Sequence, residues 1–145
     1  GIRLDLGLGW SSADVSATGL TAQYGTVESW SAGTRIERDD WTFGTSWLTS
    51  NNGLPNSDYT AWSAGLHRDA YNTEFSAEYG QSEDDGAALD TSGWRVGAAR
   101  QFGASTKLAV AYLNDEIESP LQNRRSQGVV VEITLSQEIV RLTGN

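Results

Sequence analysis

The side chains of this chain that could do chemistry recur at every second position along short alternating stretches. Arg3 and Asp5, Arg35 and Glu37, Glu74 and Glu78, then Arg95, Lys107 and Glu132 occupy such positions, interleaved with Gly and Ser. Paired carboxylates can serve as general acid and base, provided that they flank one bond. Glu74 and Glu78 instead lie two strand steps apart on one side, so the expected role is ion pairing with Arg35 and Arg95 on neighbouring strands. His67 is the sole histidine, which excludes a His-based metal cluster. A Ser–His–acid triad on it has no sequence signature, and a hydrogen-bonded structural place at a strand end is expected. Glu83-Asp84-Asp85 with Asp90 could approach a divalent cation but lacks the spacing of a calcium loop. It reads as a solvated acidic loop. No enzyme, no metal site and no cofactor is expected.

The elements that carry these residues repeat. Trp30, Trp62 and Trp94 fall 32 residues apart, and each opens a stretch of the type Trp-x-x-Gly. A polar break follows at Asp39-Asp40, Arg68-Asp69-Ala70 and Gly103-Ala104-Ser105. Alternation then resumes at Trp41, Tyr71 and Lys107. Such a period marks serial β-hairpins. About eight strands are predicted, starting with Ile2, Leu4, Leu6, Leu8 and Trp10 against Arg3, Asp5, Gly7 and Gly9. The others alternate around Trp30, Trp41, Trp62, Tyr71, Trp94, Leu108 and Val129, the last running to Ser136. Three connections are short. Four are predicted to be long loops, at residues 11–27, 50–58, 81–92 and 114–127.

Composition narrows the class. The 145-residue chain has no Cys, no Met and sixteen Gly, with a net charge of −9. It suits one domain over residues 1–145. Its acidity excludes nucleic acid as a partner, and the lack of Cys excludes a disulfide framework. No run of eighteen apolar residues predicts a transmembrane helix. The absence of a signal peptide and of Met leads one to expect a processed or excerpted chain. A mean hydropathy of −0.43 does not exclude the membrane, because alternating strands average low.

Which face meets water decides the architecture. A soluble ligand-binding barrel turns its apolar face inward, whereas a membrane barrel turns it to lipid. The polar side is poor in long solvated side chains and rich in Gly, with the nine charged residues named above spread among them. That suits a confined, lumen-lining face on which opposite charges pair. Trp10, Trp30, Trp47, Trp62, Tyr79, Trp94 and Tyr112 mark the long-loop end of seven strands, as a membrane-interface belt would. Trp41, Tyr71 and Phe102 form a sparser ring at the short-turn end. The expected fold is therefore an all-β, antiparallel up-and-down transmembrane β-barrel with short turns at one end.

Gly93-Trp94-Arg95-Val96-Gly97-Ala98-Ala99-Arg100-Gln101-Phe102-Gly103-Ala104-Ser105-Thr106-Lys107-Leu108 resembles a porin hairpin with its Phe-Gly turn. Gln127-Gly128-Val129-Val130-Val131-Glu132-Ile133-Thr134-Leu135 resembles a porin closing strand. The chain is thus similar to Gram-negative porins, especially the acidic, Cys-free alphaproteobacterial kind. The resemblance implies a bacterial outer-membrane location and passive diffusion of small hydrophilic solutes or ions. It also implies the lipid bilayer as partner. Three departures stand beside it. Porins usually have sixteen strands, and they usually end on an aromatic residue where this chain has Leu142-Thr143-Gly144-Asn145. Glu138-Ile139-Val140-Arg141 looks like the start of a porin and would run on into Ile2-Arg3-Leu4. A partial, permuted or rearranged chain is expected, with a homo-oligomer sharing one barrel as one arrangement. If eight strands close alone, side chains fill the bore, and a structural or adhesive barrel is the alternative.

Overall fold

The computed structural model describes residues 1–14, 25–53 and 56–135. Eight strands follow in order: β1 (Ile2–Asp14), β2 (Thr26–Arg38), β3 (Trp41–Ser50), β4 (Tyr59–Ala70), β5 (Thr73–Asp84), β6 (Leu89–Phe102), β7 (Thr106–Glu118) and β8 (Arg124–Leu135). Every strand pairs antiparallel with its sequence neighbour, giving one sheet of order β1 to β8. The described residues contain no helix. This is the meander expected from serial hairpins, but it does not close. β1 and β8 are edges, each paired on one side only.

Alternation sets the faces as predicted. Ile2, Leu4, Leu6, Leu8 and Trp10 share the apolar face with Ile36, Phe43, Leu66, Val96 and Val129, to which the register connects them. Among the described residues no apolar side chain is buried, and Leu6 and Leu8 are 74% and 90% exposed. The sheet has no core of its own. Its order comes from the ladder and from cross-strand pairs.

Three corrections concern the connections. The β4–β5 turn is Tyr71-Asn72, not Arg68-Asp69-Ala70, because β4 runs on to Ala70. Tyr71 and Asn72 have φ of 54° and 57°. A two-residue hairpin of the type that follows strand twist needs positive φ at both central positions, and Asn meets that need more easily than Tyr. The other two long-loop corrections lie at residues 81–92 and 114–127. These are mostly strand: β5 and β6 leave only residues 85–88 between them, and β7 and β8 only residues 119–123. The cause is that ladder hydrogen bonds do not require apolar alternation. Ser82 and Thr91 bond across this polar extension, as Arg125 and Glu116 do. The second predicted long connection, 50–58, agrees with β3 ending at Ser50 and β4 starting at Tyr59, and its residues 54–55 lie outside the described residues. Most of the first, together with Ser136 and Glu138 to Asn145, lies outside the described residues.

Candidate functional site

The nine charged residues expected on one side do share the polar face, and the register groups them. Arg3 stands opposite Glu37, and Asp5 opposite Arg35. Arg3 approaches Asp5 at 3.2 Å and Glu37 at 3.8 Å. Arg35 pairs with Glu37 along its own strand. The four make a continuous network across β1 and β2. Farther round, Arg95 stands opposite Glu78 and meets it at 3.3 Å.

Glu74 departs from expectation. It meets neither Arg35 nor Arg95 but takes two hydrogen bonds from Lys107 Nζ, at 2.8 and 2.9 Å. The pair spans β6, where Ala99 is opposite both Glu74 and Ala109. The small Ala99 side chain leaves the way clear for two long ones. Glu132 accepts a hydrogen bond from Thr134 at 3.1 Å, and the described residues give it no cation. His67 bonds Asp69 Oδ1 at 3.1 Å on the same face, toward the turn end of β4.

These pairs are exposed on the open sheet. Arg95 and Glu78 keep 61% and 44% of their side-chain exposure, and Arg35 keeps 59%. Between and above them the face is lined by small residues. Gly7, Gly33, Ser46, Ser63, Gly80 and Gly93 are connected in one register row that leads to Asp115. The Asp115 carboxylate occupies the space that a Cβ on Gly93 would take. A hollow of 460 Å³ opens here, bordered by Glu78, Arg95, Gly93 and Asp115. Asp115 and Asp84 belong to this face, as their parity with Leu113 and Glu78 requires. Sequence reasoning missed both as residues of the polar face because it placed them in loops. Extending the strand parity through residues 81–84 and 113–117 would have found them. Glu83, Asp90, Glu116 and Glu118 fall on the opposite face. Among the described residues no group of His, Asp or Glu is arranged to hold a metal ion.

The seven aromatics lie on the apolar face in a pattern that the sequence could not show. Trp10 is opposite Trp30. Two residues lower in the register, Trp47 is opposite Trp62. Two lower again, Tyr79 is opposite Trp94, and Tyr112 follows after a further two. The band therefore descends by one residue per strand. A step of ~3.3 Å along the strand for each ~4.8 Å across the sheet becomes level when strands tilt by ~35°. Ring contacts stitch the band together: Trp10–Trp30 at 6.2 Å, and Trp62–Tyr79 and Trp94–Tyr112 at 5.3 Å each. Tyr112 also donates a hydrogen bond to Gln127 at 3.0 Å. Trp41 and Phe102 lie six and eight residues below the band on β3 and β6, and Tyr71 sits in the turn at the same end.

An up-and-down β-meander with an apolar, aromatic-banded face and a charged, glycine-rich face has the strand pattern of the membrane β-barrels. The sequence model of the Gram-negative porin family matches residues 2–119, and the chain belongs to that family. At family level this is a porin-like outer-membrane protein. The match takes in β1 to β7 and ends before Gln127, so it does not carry the resemblance of β8 to a closing strand. No curated protein and no solved structure matches the chain.

Proposed function

We propose that this sheet forms wall of a water-filled outer-membrane channel for passive diffusion of small hydrophilic solutes and ions. Its apolar face meets lipid, and its polar face lines the lumen. The observation that carries this reading is the aromatic band, which steps down one residue per strand and so becomes level at a strand tilt of ~35°. A tilt of ~35° falls within the range of transmembrane barrels, and the distance from Trp47 to Trp41 or from Trp94 to Phe102 then becomes roughly 16–22 Å of height, near the apolar band of such barrels. A soluble sheet has no reason to level its tryptophans against its own register.

The polar face supports a channel by its chemistry. Exposed ion pairs and small residues keep a bore open and hydrated, and its charge filters solutes by sign. The open edges β1 and β8 cannot remain unpaired in hydrocarbon, where each free backbone group costs several kcal/mol. The channel reading therefore has further strands complete the barrel, from more chain or from another copy, because β1 pairing with β8 would leave a bore filled by side chains. Planar-bilayer recording tests the reading. Stable ohmic steps with cation preference, strongest at low salt, are expected, and silent bilayers despite verified insertion would refute it.

A further inference from the structure

The apolar face carries charge at both ends, and the two ends differ in sign. Above the aromatic band it bears Glu28, Glu83, Asp90, Glu116 and Glu118, with Arg125 held by Glu116 at 2.8 Å. At the short-turn end the strand residues with charge on this face are Arg38, Arg68 and Arg100. They recur on β2, β4 and β6. Once the one-residue-per-strand descent of the band is applied, they stand within about two residues of a common height, at the level of Trp41 and Phe102. Arg38 and Arg68 flank Trp41 directly, one on each neighbouring strand.

Their partners are rings rather than acids. The Arg68 guanidinium lies 4.8 Å over Trp41, and that of Arg100 5.6 Å over Phe102. Among the described residues neither has a carboxylate partner. Among the described residues Arg38 has only Asp39, at 3.7 Å with both side chains mostly exposed. A guanidinium held over a ring at the edge of an apolar band, with no carboxylate partner, has its N–H groups available to another acceptor. The guanidinium fork matches two oxygens of a phosphate.

We propose that Arg38, Arg68 and Arg100 form a binding belt for the phosphates of anionic phospholipids in the leaflet at the short-turn end. The acidic upper end repels the same headgroups, so the belt also fixes which way round the sheet sits. The inference rests on the lipid-facing assignment of the apolar face made above. Each arginine contributes the attraction of a basic residue near an anionic surface, on the order of fivefold in affinity.

The test folds the full chain into vesicles of phosphatidylcholine, with and without phosphatidylglycerol, and extracts it into mild detergent. Far-UV circular dichroism of the vesicles reports insertion. Native mass spectrometry of the extract counts retained phosphatidylglycerol. Wild type is expected to insert in both vesicle types and to retain the anionic lipid. Arg68→Gln/Arg100→Gln should insert but lose retention by at least tenfold, with each single substitution near fivefold. Arg125→Gln, at the other end of the same face, should retain lipid as wild type does. Equal retention by the double variant and wild type would overturn the belt while leaving the membrane reading intact. Failure of wild type to insert in any vesicle would overturn that reading instead.

Discussion

Lys107 reaches across the whole width of β6 to hold both carboxylate oxygens of Glu74, 2.8 and 2.9 Å from its Nζ. The contact joins the turn-proximal ends of β5 and β7, and it exists because Ala99 between them is small. Both side chains remain 38–48% exposed, so the pair neutralises charge on the polar face more than it stabilises the sheet.

Lys107→Ala should therefore leave Glu74 as an uncompensated charge on the polar face, which the channel reading turns to the lumen. The expected outcome is a raised cation preference in reversal-potential measurements at low salt. Unfolding by urea in vesicles should shift by ~1 kcal/mol or less. Glu74→Gln should move the preference the other way.

Arg95→Ala tests how wet the bore is. A dry pair would cost ~3–5 kcal/mol when broken, and a hydrated one ~0–1. The channel reading places this pair, 61% and 44% exposed on the open sheet, in the second class. Equilibrium unfolding of the variant should show a loss within that lower range. A loss above ~3 kcal/mol would mean that the completed barrel excludes water there.

The apolar face yields a depth-dependent expectation. Leu6 lies four residues below Trp10 on β1, about midway between the aromatic band and the level of Trp41 once the tilt is applied. Leu6→Arg should destabilise the inserted protein by ~2–4 kcal/mol. Ser92→Arg is on the same face but above the band, opposite Gln81 and Glu116. It should cost ~0–1 kcal/mol. Equal effects at the two positions would place the band elsewhere.

Selectivity should follow facing rather than total charge. Asp115→Asn alters a carboxylate on the polar face, the proposed lumen side, beside Gly93 and the Glu78–Arg95 pair. Glu83→Gln alters one on the outer face. Asp115→Asn should lower cation preference more than Glu83→Gln at matched low salt, as read from reversal potentials. The reverse order would show that outer acids set the field at the mouth.

Much of this was legible in the sequence, and the limit has a physical origin. Alternation of Ile2, Leu4, Leu6 and Leu8 with Arg3, Asp5 and Gly7 encodes the two faces because lipid or core must see only one of them. The tryptophans marked the upper boundary for the same reason. Above the aromatic band Gln81-Ser82-Glu83-Asp84 and Asp90-Thr91-Ser92 are polar on both sides and carry no contrast, as strands with water on both sides would, and their ladder could not be read. The partner of Glu74 was hidden as well, since pairing across two strands depends on the bulk of Ala99 between them. Closure has no local signature at all, because β1 and β8 read like every other strand.

The central claim, lipid on the Leu6 face and water on the Gly7 face, can be tested directly because the chain has no native Cys. Single cysteines placed in turn at Leu4, Asp5, Leu6, Gly7 and Leu8, in protein folded into vesicles, would be treated with a membrane-impermeant thiol reagent. The account predicts a strict alternation, with fast labelling at positions 5 and 7 and protection at positions 4, 6 and 8. Reaction at position 6 as fast as at position 7, in protein shown to be inserted, would contradict it.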